Sequence, residues 1–238
     1  QKIFSRTNVK YFILEKIAFQ SVNCFEEVIS LLKKNNSKAW VNCVNRIFPA
    51  YIALKEKIIN DGPLNMVVEG GDWEISGNCI HYIDLFNFLT DENISSFNTD
   101  GLEKKYYPSK RKGFIDFNGE IIIKAQDGSK LSLLNDKTSN RSVMLNIFSN
   151  NYRYIIFEHE SKGVIQSTSN NWMSTEISFP IVPQSKLTNL LVEDIINNNK
   201  CNLSTIEESF LLHKPILISF SKLLGKFDGE IHTFCPIT

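Results

Sequence analysis

The chain carries the segment Gly77-Asn78-Cys79-Ile80-His81-Tyr82-Ile83-Asp84-Leu85-Phe86, in which one histidine and one aspartate stand among apolar residues. Apolar residues surround the axis of a helix that starts near Cys79, so we expect this helix to be buried. His81 and Asp84 are three residues apart and share one face of it. A buried polar group without a partner costs about 1–3 kcal/mol. The pair is therefore either a self-satisfied core pair or part of a polar pocket that performs chemistry.

Residues near the start of the chain predict a strand, a helix and a second strand with short connections. Residues 10–14 form a short apolar run, Ser21 can cap a helix over residues 22–34, and residues 39–44 form another apolar run. Such a unit is a parallel crossover, which normally continues a sheet begun upstream. Glu15-Lys16 then lies at the carboxyl end of a parallel strand, where open α/β sheets place their ligands.

The rest of the chain predicts helices on either side of a block of paired strands. The predicted helices cover residues 51–59, 187–197 and 206–224, and a strand is predicted over residues 64–69. The hairpin signals Asn118-Gly119 and Asp127-Gly128 predict turns that join strands at residues 114–117, 121–125 and 130–134. Further turns at residues 150–151 and 161–163 predict strands at residues 143–148, 152–157 and 164–167.

Several predicted strands are apolar on both faces. Tyr152, Tyr154 and Ile156 alternate with Ile155 and Phe157, for example. An antiparallel sheet with helices on one face normally shows a polar outer face. We therefore expect the second face to pack against another copy of the sheet, which gives a homodimer or a homotetramer.

Composition excludes several classes of partner. The 26 basic and 26 acidic residues balance, so no overall field attracts nucleic acid or an anionic membrane. No apolar run is long enough for a membrane helix, so no membrane partner is expected. A local basic cluster interrupted by two tyrosines and a proline is predicted to be a solvated loop; it comprises Lys104, Lys105, Lys110, Arg111 and Lys112.

The cysteines indicate a reducing environment. There are five, an odd number, and they are widely spaced without a C-x-x-C motif: Cys24, Cys43, Cys79, Cys201 and Cys235. This pattern predicts reduced thiols in a cytoplasmic compartment, with neither a disulfide framework nor a metal site.

Three motifs in a fixed order resemble one family of enzymes. Leu14-Glu15-Lys16, then Asn45-Arg46 with Pro49, then the segment from Asn78 to Leu85 are similar in order and spacing to the Gfo/Idh/MocA oxidoreductases. That family includes glucose–fructose oxidoreductase, inositol dehydrogenase and dehydrogenases of sugars and sugar nucleotides. The resemblance covers essentially the whole chain and implies an α+β fold: the C-terminal portion of a Rossmann α/β domain, then a mostly antiparallel open sheet with helices on one face.

The resemblance also implies a domain division. Residues 1–46 would be the remnant of the dinucleotide-binding domain, and residues 47–238 a domain for substrate binding and oligomerisation. No G-x-G-x-x-G phosphate loop occurs, and the chain opens with Gln1. We therefore expect a fragment that by itself binds NAD or NADP poorly, because the pyrophosphate site at a helix N-terminus is missing.

The resemblance implies a chemical role for each of two residues, one that accepts a proton and one that stabilises negative charge. Oxidising a secondary alcohol requires proton removal from oxygen while the cofactor takes the hydride. His81 is the expected proton acceptor, since an imidazole titrates near neutral pH. Lys16 is expected to stabilise developing alkoxide charge. Glu15 and Lys16 are the expected cofactor contacts.

Three further residues are expected to bind substrate. Asp84 could orient the His81 ring or bind a hydroxyl group of the substrate. The alternative is that it is a structural residue whose hydrogen bonds are satisfied within the core. Asn78 and Arg46 could bind sugar hydroxyls or an anionic group, although a hinge or packing role is the alternative for Arg46.

Two departures from the family pattern favour a different branch. Many relatives have a proline directly after the Glu-Lys pair, whereas this chain has Ile17. Many also have an aspartate four residues before the histidine, whereas this chain has Gly77. The substrate contacts would then suit another substrate, such as a sugar nucleotide used for surface polysaccharide.

The leading hypothesis is an NAD(P)-dependent oxidoreductase acting on a secondary alcohol of a sugar or sugar nucleotide. One alternative is a non-catalytic module that binds a sugar and oligomerises through the sheet. Another is an enzyme that uses the cofactor transiently, for epimerisation or glycoside cleavage.

Overall fold

The protein is described by a computed structural model that covers Phe4 and residues 6–238. In this part of the chain the helices are α1 (Val22–Lys34), α2 (Pro49–Ile58), α3 (Ile75–Thr90), α4 (Thr188–Asn198) and α5 (Ile206–Asp228). The strands are β1 (Tyr11–Leu14), β2 (Lys38–Val41), β3 (Asn65–Gly71), β4 (Ile94–Leu102), β5 (Tyr107–Pro108), β6 (Ile115–Asp116), β7 (Gly119–Ala125), β8 (Lys130–Asp136), β9 (Met144–Phe148), β10 (Tyr152–Phe157), β11 (Lys162–Ser167), β12 (Thr175–Ser178) and β13 (Ser204–Thr205). No helix of the described residues is long and apolar enough to cross a bilayer.

The predicted crossover unit is present at the start of the chain. Strands β1 and β2 pair in parallel, and Leu14 lies opposite Val41. Between them, the Ser21 hydroxyl caps α1 by accepting the Cys24 N–H at 3.4 Å. Helix α1 buries Phe25 and Leu32, and β13 adds an antiparallel strand on the other side of β2. Glu15 and Lys16 therefore follow a parallel strand directly.

The core lies between the helices and one face of a large, mostly antiparallel sheet. Its eight strands run in the order β12-β11-β10-β9-β3-β8-β7-β4, and only the β3–β8 pair is parallel. Residues opposite one another on the covered face have no solvent exposure: Ile121, Leu133, Val68, Leu145 and Ile156. Burying each such side chain stabilises the fold by about 1.5–3 kcal/mol. The α+β class and the open sheet are confirmed.

Two predictions about local structure are wrong. Helix α3 begins at Ile75 and not near Cys79, because Asp116 accepts the backbone N–H of Ser76 at 3.0 Å and so caps its first turn from β6. Asn118-Gly119 does not close a hairpin, since β6 pairs with β5 while β7 pairs with β4 and β8. A Cβ on Gly119 would lie 2.3 Å from the Gly101 carbonyl oxygen, so this glycine permits close approach of β4.

Strand β4 was not predicted, whereas the turns at Asp127-Gly128 and at residues 150–151 join consecutive antiparallel strands as predicted. The turn predicted at residues 161–163 lies earlier, because a 3-10 helix covers Glu158–Glu160 and β11 already begins at Lys162.

Asp84 belongs to a buried polar cluster that joins three parts of the fold. Its carboxylate has no solvent exposure, accepts a hydrogen bond from the Ser204 hydroxyl of β13, and lies 3.5 Å from the Arg46 guanidinium. Arg46 also donates to Ser204. Burial raises the pKa of Asp84 to about 6, although Arg46 and Ser204 oppose that shift. The cluster therefore anchors α3 to the crossover unit.

Gly77 allows the end of the chain to pack against α3. An ideally placed Cβ on Gly77 would lie 1.6 Å from the Thr238 carbonyl oxygen. The segment before Thr238 is held by hydrogen bonds from Cys235 N–H to the Gln20 carbonyl at 2.8 Å and from Ile115 N–H to the Pro236 carbonyl at 2.8 Å. The last residues thus bridge the loop after β1, strand β6 and helix α3.

Replacing Asp84 by asparagine should change how stability depends on pH. The pKa of the carboxyl is about 6 in the folded chain against a model-compound value of 3.8, so the folded state binds more protons between these values. Its contribution is complete below pH 4 and is lost as pH rises through 6, by about 3 kcal/mol. We expect Asp84→Asn to lack this loss, measured as free energy of unfolding by denaturant titration from pH 4 to pH 8. The buried histidines are common to both proteins and cancel. Parallel curves for the two would contradict the assignment.

Replacing Gly77 by alanine should displace the end of the chain. Alanine is favoured over glycine within a helix by about 0.5–1 kcal/mol, but here its Cβ collides with the Thr238 carbonyl. We expect faster amide hydrogen exchange at Cys235 and Ile237 in Gly77→Ala. The matched control is the same substitution in a chain that ends at Ile237, in which the collision is absent and stability should recover. Unchanged exchange in the single variant would disprove the collision.

Candidate active site

Lys16 reaches from the end of β1 to the first turns of α3. Its Nζ donates to the Gly77 carbonyl at 3.0 Å and to Asn78 Oδ1 at 2.7 Å. The Lys16–Ile17 peptide bond is cis. The first predicted motif and the third are therefore in direct contact, although they are 61 residues apart.

Asn78 holds Lys16 in place. Its Oδ1 accepts from Lys16, and its Nδ2 donates to the Trp73 carbonyl at 2.7 Å. Trp73 is itself fixed, because its backbone N–H donates to Asn135 Oδ1 at 3.0 Å and its indole N–H donates to the Leu134 carbonyl at 2.8 Å. The amide of Asn78 thus links the lysine, through Trp73, to strand β8 of the large sheet.

The ammonium of Lys16 has only neutral hydrogen-bond partners within the described residues. Burial is the largest influence on its pKa and lowers it, while Cys79 opposes that shift. The charge of Arg111 lowers the pKa by a smaller amount, and the opposing effects of Cys43 and Glu15 are smaller still. A lysine with a lowered pKa exchanges its proton more readily near neutral pH. Lys16 can therefore carry a positive charge or release a proton, depending on what binds beside it.

His81 lies about one helical turn beyond Asn78. Its residue surface is partly exposed, whereas its Nδ1 is buried without a hydrogen-bond partner among the described residues. Its pKa is lowered to about 3, mainly by burial and to a smaller extent by the charges of Lys16 and His213. The premise that this imidazole titrates near neutral pH is therefore wrong. His81 is neutral at physiological pH and suits hydrogen bonding to a hydroxyl group.

The other predicted site residues are placed less centrally. Asp84 and Arg46 contact each other and Ser204, and within the described residues no hydrogen bond joins Asp84 to His81. Glu15 is exposed and accepts a hydrogen bond from Asn42 at 2.7 Å. The structure therefore brings together Lys16, Asn78 and His81, while Asp84 and Arg46 form the separate buried cluster.

Sequence reasoning missed two residues that reach this site. Arg111 is exposed, but its charge acts on Lys16 and its Nη1 donates to Thr238 Oγ1 at 3.0 Å. Thr238 packs on Gly77. The density of basic residues around Arg111 was visible in the sequence, whereas nothing local indicated that Thr238 would lie there.

No protein-family model matches this chain, and no curated protein sequence matches it. Solved structures do. UDP-N-acetylglucosamine 3-dehydrogenase GnnA from Acidithiobacillus ferrooxidans is 11% identical and superposes with a TM-score of 0.68, over 90% of this chain and 70% of that one. The dehydrogenase MviM from Clostridium difficile is 17% identical, with a TM-score of 0.63 over 96% and 74% of the two chains.

A third similar structure is a super-repressor mutant of Gal80p from Saccharomyces cerevisiae. It is 13% identical and has a TM-score of 0.65, over 92% of this chain and 71% of that one. Identities this low establish the fold alone, and one fold can serve several functions. The chain has the fold of Gfo/Idh/MocA-type oxidoreductases, as the order of its sequence motifs predicted.

Proposed function

We propose that this chain is the substrate-binding part of an NAD(P)-dependent oxidoreductase that acts on a secondary alcohol of a sugar or sugar nucleotide. The observation that carries the proposal is the contact between Lys16 and α3, which places an ammonium and a neutral imidazole on neighbouring turns. The names of the similar dehydrogenases support an oxidoreductase, and GnnA supports a sugar nucleotide as one substrate.

The residues present fit one part of a nicotinamide site. Lys16 offers a partly buried ammonium with neutral partners at the carboxyl end of β1. The glycine-rich loop that would bind the pyrophosphate does not occur in the sequence. When bound, the nicotinamide would accept the hydride. We propose residues 1–46 as the end of the cofactor-binding domain and residues 47–238 as the substrate domain. Which of NAD and NADP is used is left open.

In the proposed mechanism the two side chains divide the work. His81 accepts a hydrogen bond from the reacting hydroxyl and orients it, since the ring is neutral. Lys16 stabilises the alkoxide that develops as hydride leaves, because its charge lies in a partly desolvated place where electrostatic effects are stronger. Its lowered pKa also suits it to pass the proton on. Asn78 positions Lys16 through its amide oxygen.

A non-catalytic module is the second candidate function. The similarity to Gal80p supports it, because a protein described as a repressor shares this fold. Such a module would bind a sugar at the His81 site without oxidising it. Transient use of the cofactor, for epimerisation or glycoside cleavage, would leave no net change in NAD(P)H.

A cytoplasmic location is part of the proposal. All five cysteines are free, and Cys43, Cys79 and Cys235 are buried. Buried thiols of this kind persist where the surroundings are reducing.

We also propose that the uncovered face of the large sheet forms a homodimer, or a homotetramer by further pairing. Its central row contains Val67, Ile122, Ile155 and Val164, with the polar residues Ser132 and Asn146 on the strands between them. One flanking row carries Glu69 and Glu120, with Lys162 at its outer end; the other carries Lys124, Lys130 and Arg153. A two-fold axis along the central row would place the acidic row of one copy over the basic row of the other.

His81→Ala in the intact protein should lower turnover by roughly 10²-fold, because the reacting hydroxyl would no longer be held in position for hydride transfer. The pH profile should show no ionisation of His81 between pH 5 and 8, because its pKa is about 3. Steady-state oxidation of sugar alcohols and sugar nucleotides, followed by NAD(P)H absorbance, measures both.

The matched control is His159→Ala, since His159 is exposed next to β10. A loss below tenfold in His81→Ala with unchanged stability would remove His81 from the mechanism. Saturable sugar binding without any NAD(P)H change in the intact protein would favour the non-catalytic module.

Ile155→Lys should dissociate the proposed dimer, because it buries an unpaired charge among the apolar side chains of the central row. Sedimentation equilibrium should show a shift from dimer to monomer. The control is Ile196→Lys on the exposed side of α4, where the side chain is 67% exposed and no effect is expected. A monomeric parent protein, or an unchanged dimer in Ile155→Lys, would disprove this interface.

A further inference from the structure

A short hairpin presents basic residues beside the candidate active site. Strands β5 and β6 pair antiparallel and form a hairpin. Two backbone hydrogen bonds close its loop: Ser109 N–H donates to the Phe114 carbonyl at 3.0 Å, and Phe114 N–H donates to the Arg111 carbonyl at 3.2 Å. Residues 110–112, which we call the basic tip, lie at its end. The basic tip consists of Lys110, Arg111 and Lys112.

The basic tip is fixed against the start of α3. Glu74 Oε1 accepts from the Ser109 hydroxyl at 2.7 Å and from the Lys110 backbone N–H at 2.6 Å. The ammonium of Lys110 lies 2.9 Å from the Asp72 carbonyl and 3.8 Å from its carboxylate. The position of the hairpin is therefore set by the same loop that leads into the His81 helix, and the charge of Lys110 is partly compensated.

Arg111 and Lys16 lack an acidic partner. Within the described residues no carboxylate lies within 4.0 Å of either side chain, and their hydrogen-bond acceptors are the Thr238 hydroxyl, the Gly77 carbonyl and the Asn78 amide. The two positive charges repel each other, and this repulsion contributes to the lowered pKa of Lys16, of which burial is the main cause. A bound anion would relieve this repulsion.

Thr238 shows that oxygen atoms fit between Arg111 and α3. Its hydroxyl accepts from Arg111, and its carbonyl oxygen lies where a Gly77 side chain would be. Arg111 and Lys112 are exposed, whereas Lys16 and His81 are partly buried. This arrangement would match a ligand whose anionic part contacts the exposed cations and whose neutral polyol contacts the partly buried residues.

We propose that Arg111 and Lys112 bind the diphosphate of a nucleoside-diphosphate sugar, which displaces Thr238 and directs the sugar toward Lys16 and His81. This rests on the proposed oxidoreductase function and selects the sugar nucleotide over the free sugar. A diphosphate suits the site better than a single carboxylate does, because it brings more negative charge and more acceptor oxygens to a guanidinium that is followed in the chain by a second cation.

The test is calorimetric binding of UDP-N-acetylglucosamine and of free N-acetylglucosamine to the intact protein. Arg111→Ala should weaken binding of the nucleotide sugar roughly 10- to 100-fold, as expected for hydrogen bonds to a charged group. It should reduce the salt dependence of binding and leave the free sugar unaffected. The control is Lys162→Ala, an exposed lysine that pairs with Glu160, and it should bind like the parent.

The outcomes separate this inference from the proposed function. Equal affinity of Arg111→Ala and the parent for UDP-N-acetylglucosamine overturns the diphosphate site, even if sugars are oxidised. An equal loss of NADPH binding in Arg111→Ala also overturns it, because the anion site would then serve the cofactor. Selective loss of nucleotide-sugar binding supports it, and does so even if the intact protein proves unable to oxidise any sugar.

Discussion

The candidate site depends on one contact, the ammonium of Lys16 against the Gly77 carbonyl and the Asn78 amide. It joins the crossover unit at the start of the chain to the helix that carries His81. Each acceptor is neutral, so the contact fixes the position of the lysine without neutralising its charge. A carboxylate in the same place would have raised the pKa of Lys16, whereas burial beside neutral acceptors lowers it.

The surrounding structure maintains this contact against its electrostatic cost. Asn78 is tied to Trp73, and Trp73 is tied to Asn135 and Leu134 in β8. On the other side of α3, the buried cluster of Asp84, Arg46 and Ser204 connects the helix to the crossover unit. Because these two sets of contacts hold α3, the helix and the crossover unit stay together despite the uncompensated charge of Lys16.

The sequence predicted the elements whose signals are local. Ser21 caps α1 at the expected position, and Asp127-Gly128 turns β7 into β8 as expected. The first outcome depends on a side chain that accepts a hydrogen bond from the first turn of its own helix, and the second on a glycine that adopts a positive φ. Residues close in the sequence determine both.

Features that depend on distant partners could not be predicted. Asp116 caps α3 from 40 residues away, and Ser204 meets Asp84 across 120 residues. Asn118-Gly119 had the composition of a hairpin turn, but its glycine serves the close approach of β4. The motif order located Lys16 and His81, yet it did not predict the pKa of His81, because burial and the charges of Lys16 and His213 arise only in the folded chain.

Gly77 connects the departure from the family pattern with the charge of the site. The resemblance implies an aspartate at this position in many relatives, and such a carboxylate would offset a nearby ammonium. In this chain the position has no side chain, and the carbonyl oxygen of Thr238 fills the space. Without a carboxylate at this position, the ammonium of Lys16 has only neutral hydrogen-bond partners, and the charge of Arg111 makes the site more positive. A site altered in this way favours a substrate that brings its own negative charge.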